Sequence, residues 1–441
     1  MSSSRSPALE AAAPLAAPHI AEVQSKVARR ILPLLFLGYV LAFLDRINIG
    51  FAQISMSHEL NLTPQQYGFG AAIFYAGYLI FQVPSNLLLE KAGARRTLSR
   101  IMVLWGVCSG AMAFIGSATH LYAVRFALGA AEAGFFPGVL LYLTYWFPAG
   151  QRARMMSIFM LPLAFAGFIG GPLSGWIIGN MPATLGMKGW HWMFLIEAAP
   201  SIVLGLLLFV TLPDGPRDAR WLDDRERELI RASLDEAAPH TRVQDGARTS
   251  FWALLARPRV YALFVAYFAL NAGITTIGAF LPAIIKSSGY ATADFEIGLL
   301  VAVPYLVAAV TMYFSCRSAD RTRSRLICPA AFALAAIGYL GAAWLHGIGG
   351  FGLALVMMVA GVLSGYPLFW ATASDMLPRG SAAGGIGLVS AVGIAGAFCA
   401  PLAVGKITAL TGLYTGSLLL MGALMAIGAV ALFIVRRHAT V

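Results

Sequence analysis

Residues 86–96 read NLLLEKAGARR and follow directly on a long apolar segment. A related stretch, CRSADRTRSR at 316–325, follows another apolar segment and repeats its acidic and basic positions 230 residues later: Glu90, Lys91 and Arg95 correspond to Asp320, Arg321 and Arg325. A second pair, GFIGGPLSGW at 167–176 and GAFCAPLAVG at 396–405, is 229 positions apart. Two independent pairs at nearly one offset indicate that the chain is built from two related halves.

Apolar segments occupy most of both halves. The 441 residues are 59% hydrophobic and only 12% charged, which is more apolar surface than a soluble core of this size would bury. Twelve segments approach or exceed the about 20 residues that cross a bilayer as a helix. We predict spans at 30–54, 66–90, 97–117, 120–147, 153–179, 191–212, 257–286, 292–317, 324–346, 350–375, 381–405 and 412–435.

The basic residues are distributed unevenly among the connections. If both termini are cytoplasmic, 26 of the 31 Lys and Arg residues lie in cytoplasmic tails and connections, and only Lys188, Lys286 and Lys406 lie on the opposite side. An excess of basic residues on the cytoplasmic side is the usual signal of membrane topology. The net charge of +11 is therefore explained by topology, and we expect no nucleic-acid partner.

These observations predict an all-α membrane protein with twelve transmembrane helices in two six-helix bundles and both termini in the cytoplasm. The bundles occupy residues 28–212 and 257–436. Residues 1–27, rich in Ala, Pro and Ser, are predicted to form a disordered cytoplasmic tail, and 437–441 a second tail. The connection at 213–256 is predicted to be a solvated cytoplasmic linker, in which WLDDRERELIRASLDEAA forms a short amphipathic helix.

Four charged residues stand out because they lie well inside predicted spans, where each costs about 2.5–3.5 kcal/mol on insertion scales. Asp45 and Arg46 are in span one. Arg125 and Glu132 are in span four, where they lie on one helix face about 10.5 Å apart along the helix axis. Buried ion pairs that only hold helices together are one explanation. In the second half, the corresponding positions carry no charge; they are Thr275, Thr276 and Leu355. This asymmetry favours a functional site in the first half.

The chemistry of these side chains suggests their roles. The planar guanidinium of Arg46 is suited to hold a substrate carboxylate through two parallel hydrogen bonds. Asp45 and Glu132 are predicted to carry protons, because burial favours a neutral carboxyl group and nearby arginines favour its ionised form. Arg125 is expected to set that balance by pairing with Glu132 or Asp45.

Several of these motifs resemble a known family. The stretch NLLLEKAGARR resembles the signature of the major facilitator superfamily, with Asn86 at the usual glycine and Glu90 at the usual aspartate. The stretches LDRINIGFA, GYLIFQVPSNLLLEKAGARR, RFALGAAEAGFFPG and GWHWMFLIEAAP resemble the anion:cation symporter branch, over residues about 28 to 436. This resemblance implies proton-coupled uptake of an organic anion by alternating access, as in bacterial carriers of tartrate, phthalate, hydroxyphenylacetate and sugar acids.

The resemblance also implies site residues. It identifies the four intramembrane charges with the substrate and proton positions, and Tyr78 with a substrate-contacting position of sugar-acid carriers. It implies a cytoplasmic gate, which we assign to Glu90, Arg95, Arg96, Asp320, Arg321 and Arg325. Other polar or amphipathic residues within spans are predicted to complete the pocket: Tyr75, Asn271, Tyr305, Tyr366, Trp370 and Ser390. Glu197 and Asp375 are interpreted as residues at the helix boundaries.

Other functions remain open at this stage. An anion exchanger or an efflux carrier would have the same fold, and a membrane sensor or a membrane-embedded enzyme is the alternative of another class. We predict no cofactor, no metal site and a monomer in the bacterial inner membrane. The substrate is predicted to be an aromatic, hydroxy-, dicarboxylic or sugar acid.

Overall fold

The computed structural model describes residues 7–148, 155, 162–237, 258–322, 324, 326–376 and 382–437. The first bundle contains α1 to α7 and is followed by the linker helix α8, and the second bundle contains α9 to α14. Within these residues the helices are α1 Pro7–Glu59, α2 Pro64–Ala92, α3 Ala94–Ala111, α4 Ala118–Glu132, α5 Phe135–Thr144, α6 Pro162–Asn180, α7 Gly189–Thr211, α8 Asp224–Ala237, α9 Pro258–Ser287, α10 Asp294–Thr322, α11 Ile327–Trp344, α12 Ile348–Met376, α13 Ala382–Thr411 and α14 Thr415–Arg437.

Twelve segments in this part of the chain are long and apolar enough to cross a membrane, which confirms the predicted number. The face at which α2 ends and α3 begins carries most of the basic connections and is called the inner face here, and the face with Lys188, Lys286 and Lys406 is called the outer face. Parts of the predicted tails, spans and linker lie outside the described residues, namely 1–6, 153–154, 156–161, 238–257, 381 and 438–441.

The N-terminal segment differs from expectation, whereas the linker contains the predicted short helix, α8. Helix α1 begins at Pro7 and continues into the first span, so most of the segment predicted as a disordered tail is helical. Val23 and Val27 are buried in one apolar cluster with Ile230 of α8. Lys26 donates both its hydrogen bonds to the Glu226 carboxylate at 2.7 and 2.8 Å. Apolar burial and this ion pair hold the tail and the linker helix together on the first bundle.

The fourth span is broken. Helix α4 ends at Glu132 and α5 begins at Phe135. Pro137 explains the break, because it has no N–H group to donate to the Ala133 carbonyl and its ring is crowded against that position. The break places the Glu132 carboxylate at a helix C-terminus, where the helix dipole disfavours a negative charge. A nearby cation or a proton on the carboxyl group would therefore stabilise Glu132 in this position.

The bundles meet through two symmetry-related contacts near the outer face. Gly171 of α6 packs against Gly298 of α10, and a side chain at Gly68 of α2 would meet the carbonyl oxygen of Pro401 in α13. Gly171 and Pro401 are 230 positions apart in the sequence, as are Gly68 and Gly298. Tyr67 adds a hydrogen bond across the interface, donated to the Ala279 carbonyl at 2.8 Å. The internal repeat is thus present in the contacts that close the outer face.

We expect Gly298→Ala to lower the melting temperature of the purified protein. A methyl group at this position would meet the Gly171 main chain and push α6 away from α10, and such overpacking costs about 1–3 kcal/mol. The matched control is Gly352→Ala in α12, where a methyl group meets no atom within 4 Å. Equal melting temperatures for the two variants would contradict the tight contact.

Candidate functional site

A polar cavity of about 60 Å³ lies between the two bundles. Helices α1, α2, α4 and α6 line it on one side, and α9, α10 and α12 line it on the other. Arg46 and Arg125 reach it from the first bundle, whereas the lining of the second bundle carries no charged side chain. The asymmetry of charge between the halves, expected from the sequence, is therefore concentrated at this cavity.

Arg46 forms an ion pair with Glu132. Its Nε atom donates to Glu132 Oε1 at 2.8 Å, and its Nη2 atom lies 2.6 Å from the same oxygen. The Glu132 side chain is 3% exposed and that of Arg46 is 22% exposed. Both hydrogen bonds use one carboxylate oxygen, so the pair lacks the side-by-side geometry in which each oxygen has its own donor. Arg46 therefore neutralises Glu132 at the end of α4 while part of its guanidinium faces the cavity.

Arg125 has no carboxylate partner in the described part of the chain. Its Nε atom donates a long bond of 3.4 Å to the Gly70 carbonyl, although the side chain is buried. The expected pairing of Arg125 with Glu132 or Asp45 is therefore wrong for this conformation. Two helical turns separate Arg125 from Glu132 along α4, and Arg46 of a neighbouring helix reaches the carboxylate instead.

Aromatic rings stabilise both buried guanidinium groups. The Arg125 guanidinium lies 4.7 Å from the centre of the Phe74 ring, and that of Arg46 lies 5.7 Å from the same ring. Phe43 and Tyr78 lie 5.2 and 5.3 Å from the Arg46 guanidinium. A desolvated contact of this kind contributes up to about 2 kcal/mol. The rings therefore stabilise both guanidinium cations without carrying a negative charge themselves.

The neutral wall of the cavity spans both bundles. Thr275 of α9 donates a hydrogen bond to the Tyr75 hydroxyl of α2 at 3.1 Å. In the second bundle, the Tyr267 hydroxyl is 3.1 Å from the Tyr366 hydroxyl, and the Asn271 amide donates to the Tyr267 carbonyl at 2.9 Å. Tyr75, Asn271 and Tyr366 line the cavity, as does Tyr305. These groups offer neutral hydrogen-bonding partners opposite the two arginines.

Three predicted substrate-binding residues do not line the cavity. Tyr78 is buried beside Arg46 and contacts the guanidinium with its ring. Trp370 packs against Tyr267, with ring centres 5.0 Å apart. Ser390 lies on α13 and is also absent from the cavity lining. Tyr78 thus supports a residue that lines the cavity, whereas Trp370 supports Tyr267, whose hydroxyl contacts the cavity-lining Tyr366.

Asp45 also lies away from the cavity. It is next to Arg46 on α1 and faces the interior of the first bundle, where its Oδ1 atom accepts a hydrogen bond from Ser109 at 2.6 Å. Glu197, expected to cap a helix near the outer face, is buried and accepts a hydrogen bond from Ser174 at 2.8 Å. The boundary interpretation of Glu197 is wrong, because the carboxyl group points into the bundle. The side chain of Asp375 is outside the described residues.

Sequence reasoning did not identify Thr275 or Phe74 as site residues. Thr275 is the position that the internal repeat aligns with Asp45, and this correspondence was the available signal. Phe74 lies on the face of α2 that packs against α4, where a side chain at Gly129 would meet the Phe74 carbonyl. An apolar residue within a span gives no sequence signal of a cation contact.

The predicted gate residues are not joined across the bundles. Glu90, Arg96, Asp320 and Arg321 are exposed, and the structure records no ion pair among them in the described range. Arg95 interacts with Asp214 of its own half. The Arg95 backbone N–H donates to Asp214 Oδ1 at 2.8 Å, and the Arg95 Nε atom lies 3.9 Å from Asp214 Oδ2. Arg325 is outside the described residues.

Comparisons with known proteins agree with this architecture. The family model of the Major Facilitator Superfamily matches residues 35–393. The chain is 40% identical, over 95% of its length and 92% of the relative, to a protein of Agrobacterium vitis named "Putative tartrate transporter". It is 37% identical, over 88% of both chains, to the "Putative metabolite transport protein NicT" of Pseudomonas putida. It is 34% identical to the "Quinolone resistance transporter" of Acinetobacter baumannii, over 94% and 95% of the two chains.

Solved structures share the fold at low sequence identity. An inward-facing, occupied bacterial homolog of the human lysosomal transporter Spinster matches with a TM-score of 0.73 and 16% identity, over 92% of this chain and 96% of that one. The Escherichia coli xylose transporter XylE in a partially occluded inward-open conformation matches with a TM-score of 0.70 and 17% identity, over 91% and 97% of the two chains. These similarities concern the arrangement of the helices alone.

Proposed function

The chain belongs to the Major Facilitator Superfamily, and from this premise we propose that it takes up a small hydroxy-dicarboxylate, such as tartrate, together with protons. The chain is a multi-pass membrane protein and a secondary transporter of a small molecule, within a family of transporters rather than enzymes. The proposal adds the substrate class, the coupling to protons and a place in the bacterial inner membrane.

The observation that carries the proposal is the guanidinium of Arg125. It is buried and lines the cavity, and it has no carboxylate partner among the described residues. A buried cation without a counter-charge is costly, so a bound anion would stabilise it strongly. We assign one substrate carboxylate to Arg125.

The Arg46–Glu132 pair supplies the second anion position and the coupling. While Glu132 is ionised, Arg125, Arg46 and Glu132 together carry a charge of +1, which matches a monoanion. A proton on Glu132 raises this charge to +2 and weakens the hold of Glu132 on Arg46. The second carboxylate of a dianion then binds Arg46. Substrate and proton therefore bind together because Glu132 and the substrate compete for one guanidinium.

The size of the cavity supports a small acid. At about 10–15 Å³ of such space for each water molecule, 60 Å³ holds about four to six waters, equivalent to about 120–180 Å³ of liquid. A compact dicarboxylate suits this space and the neutral donors around it, whereas a larger ligand would require the bundles to separate. The tight outer contacts support an inward-facing conformation, as does the lack of an ion pair across the bundles among the described gate residues of the inner face.

Membrane energetics require more than one proton. Moving a negative charge into a negative cell costs about 2.3 kcal/mol per 100 mV. A dianion accompanied by one proton still moves one net negative charge inward, whereas two protons cancel its charge. Glu132 and Asp45 together supply two protonation sites, which would make uptake of a dianion electrically neutral.

We expect proteoliposomes to accumulate radiolabelled tartrate when the outside is acidic, with alkalinisation reported by a pH-sensitive dye in the outer solution. A protonophore should reduce accumulation to the equilibrium ratio. Uptake that occurs only in liposomes preloaded with tartrate, and that is insensitive to the protonophore, would instead establish an exchanger. A thermal-shift series with dicarboxylic, aromatic and sugar acids tests the substrate class, since a ligand that binds the folded state raises the melting temperature.

A further inference from the structure

A second polar cluster lies in the first bundle, between α1, α3, α6 and α7. Each member is at most 4% exposed, and none lines the substrate cavity. The five residues of this cluster, called the buried acid cluster here, are Asp45, Asn48, Ser109, Ser174 and Glu197.

Each acid of the cluster is hydrogen-bonded through one oxygen only. Ser109 donates to Asp45 Oδ1 at 2.6 Å, and Ser174 donates to Glu197 Oε1 at 2.8 Å. The remaining oxygens, Asp45 Oδ2 and Glu197 Oε2, are buried without a hydrogen-bond partner. Both polar atoms of the fully buried Asn48 side chain are also unpartnered. Unsatisfied buried groups of this kind are costly, so their grouping in one place requires an explanation.

The geometry brings these unsatisfied groups together. Asp45 and Asn48 are three residues apart on α1 and therefore share a face of the helix. The Asn48 side chain lies beside the Glu197 carboxyl group, and Asp45 and Glu197 are close enough to interact electrostatically. Asn48 thus lies near the Glu197 carboxyl group and on the same face of α1 as Asp45.

Among the described residues, no cation forms an ion pair with either acid. The charged groups that act on Asp45 from the neighbouring α4 are Glu132 and Arg125, and the positive charge of Arg46 is already paired with Glu132. Helix α6 contains no titratable side chain, α7 contains only His191 besides Glu197, and the arginines of α3 lie in its first two turns. Two carboxylates in this environment would repel each other at high cost.

We propose that Asp45 and Glu197, bridged by Asn48, form a shared protonation site that is separate from the substrate cavity. One proton on the pair satisfies the orphaned atoms: the protonated carboxyl donates to the Asn48 carbonyl oxygen, and the Asn48 amide donates to the remaining carboxylate. A proton requires no cavity, and no group of three or more His, Cys, Asp or Glu side chains in the described residues is arranged to hold a metal ion. The assignment of this proton to coupling rests on the proposed function.

The cluster contacts both parts of the transport machinery. Asp45 precedes Arg46 on α1, so any rotation of this turn moves both side chains. Ser174, the partner of Glu197, lies between Gly171 and Gly175, which pack against α10 at the outer face. Protonation of the pair would therefore act on the contact that closes the outer face, although the pair does not line the substrate cavity.

Infrared difference spectroscopy on the purified protein tests the protonation site without any substrate, because a protonated carboxyl group has its own C=O stretching band. In a Glu132→Gln background, which removes the carboxyl group beside the substrate cavity, we expect a band that disappears as the pH rises and that is lost when Glu197→Gln or Asp45→Asn is added. Glu197→Asp, which keeps a carboxyl group, should retain a titrating band at a shifted position. The control is Glu59→Gln, which alters an acid bound to Trp190 at the outer face and should leave the band unchanged.

In the Glu132→Gln background, a titrating band that persists after Glu197→Gln is added, or the absence of any titrating band, would overturn the shared site. In proteoliposomes, Glu197→Gln should retain exchange of external for internal tartrate and lose accumulation driven by a pH gradient. Normal accumulation in this variant would also overturn the coupling role. If the expected band is present but the wild-type protein shows no proton-driven accumulation, the proposed symport fails and the protonation site stands.

Discussion

Arg125→Gln should strongly weaken tartrate binding. The substitution removes the buried guanidinium that lines the cavity and lacks a carboxylate partner in the described chain. Truncating one member of a buried, hydrogen-bonded charge pair costs about 2–5 kcal/mol, so the dissociation constant should rise at least about 30-fold. Titration calorimetry on the detergent-solubilised protein measures this change.

The conservative variant sharpens this expectation. Arg125→Lys keeps the charge and loses the planar fork, so its affinity should fall between those of the wild-type protein and Arg125→Gln. Arg100→Gln, which removes an exposed arginine of α3, is the matched control and should bind normally. Tartrate binding by Arg125→Gln at the affinity of the control would mean that the substrate carboxylate is held elsewhere.

The sequence predicts the spans well because a membrane-crossing helix is a local property. A run of about 20 apolar residues satisfies its own backbone hydrogen bonds and needs no partner to be recognised. The break after Glu132 also has a local sequence signal, because Gly134 and Pro137 both disfavour a continuous helix. The docking of α8 on the N-terminal segment is different, because the Lys26–Glu226 pair joins residues 200 positions apart.

The site residues are predictable as a set, but their partners are not. The cost of a charge in lipid identifies Arg46, Arg125 and Glu132 from sequence alone. Which arginine reaches Glu132 depends on the packing of α1 against α4, although the two turns between Arg125 and Glu132 already disfavour a direct pair on one helix. Similarly, Glu197 is visible as an intramembrane acid, but its proximity to Asp45 requires the position of α7 relative to α1.

The two acids of the proposed mechanism have different environments. Glu132 is held by Arg46 at the edge of the cavity, so its proton would compete directly with the substrate. Asp45 faces away from the cavity, accepts a hydrogen bond from Ser109 and forms no ion pair among the described residues. One proton would therefore control access to the substrate site, and the other would compensate charge and act on the outer contact. The two roles predict different pH behaviour for the corresponding variants.

Glu132→Gln should lose proton-driven accumulation of tartrate while retaining exchange. Without the carboxylate, Arg46 is free for the substrate at every pH, so binding no longer requires a proton at this position. If binding takes up a proton on Glu132, affinity falls about tenfold for each unit of rising pH once that group is ionised, because one proton corresponds to about 1.4 kcal/mol per unit. The variant should therefore reduce the slope of log Kd against pH by about one, measured by calorimetry across the pH series. A slope equal to that of the wild-type protein, or accumulation that still follows the pH gradient, would remove Glu132 from the coupling mechanism and leave the Asp45–Glu197 pair as its alternative.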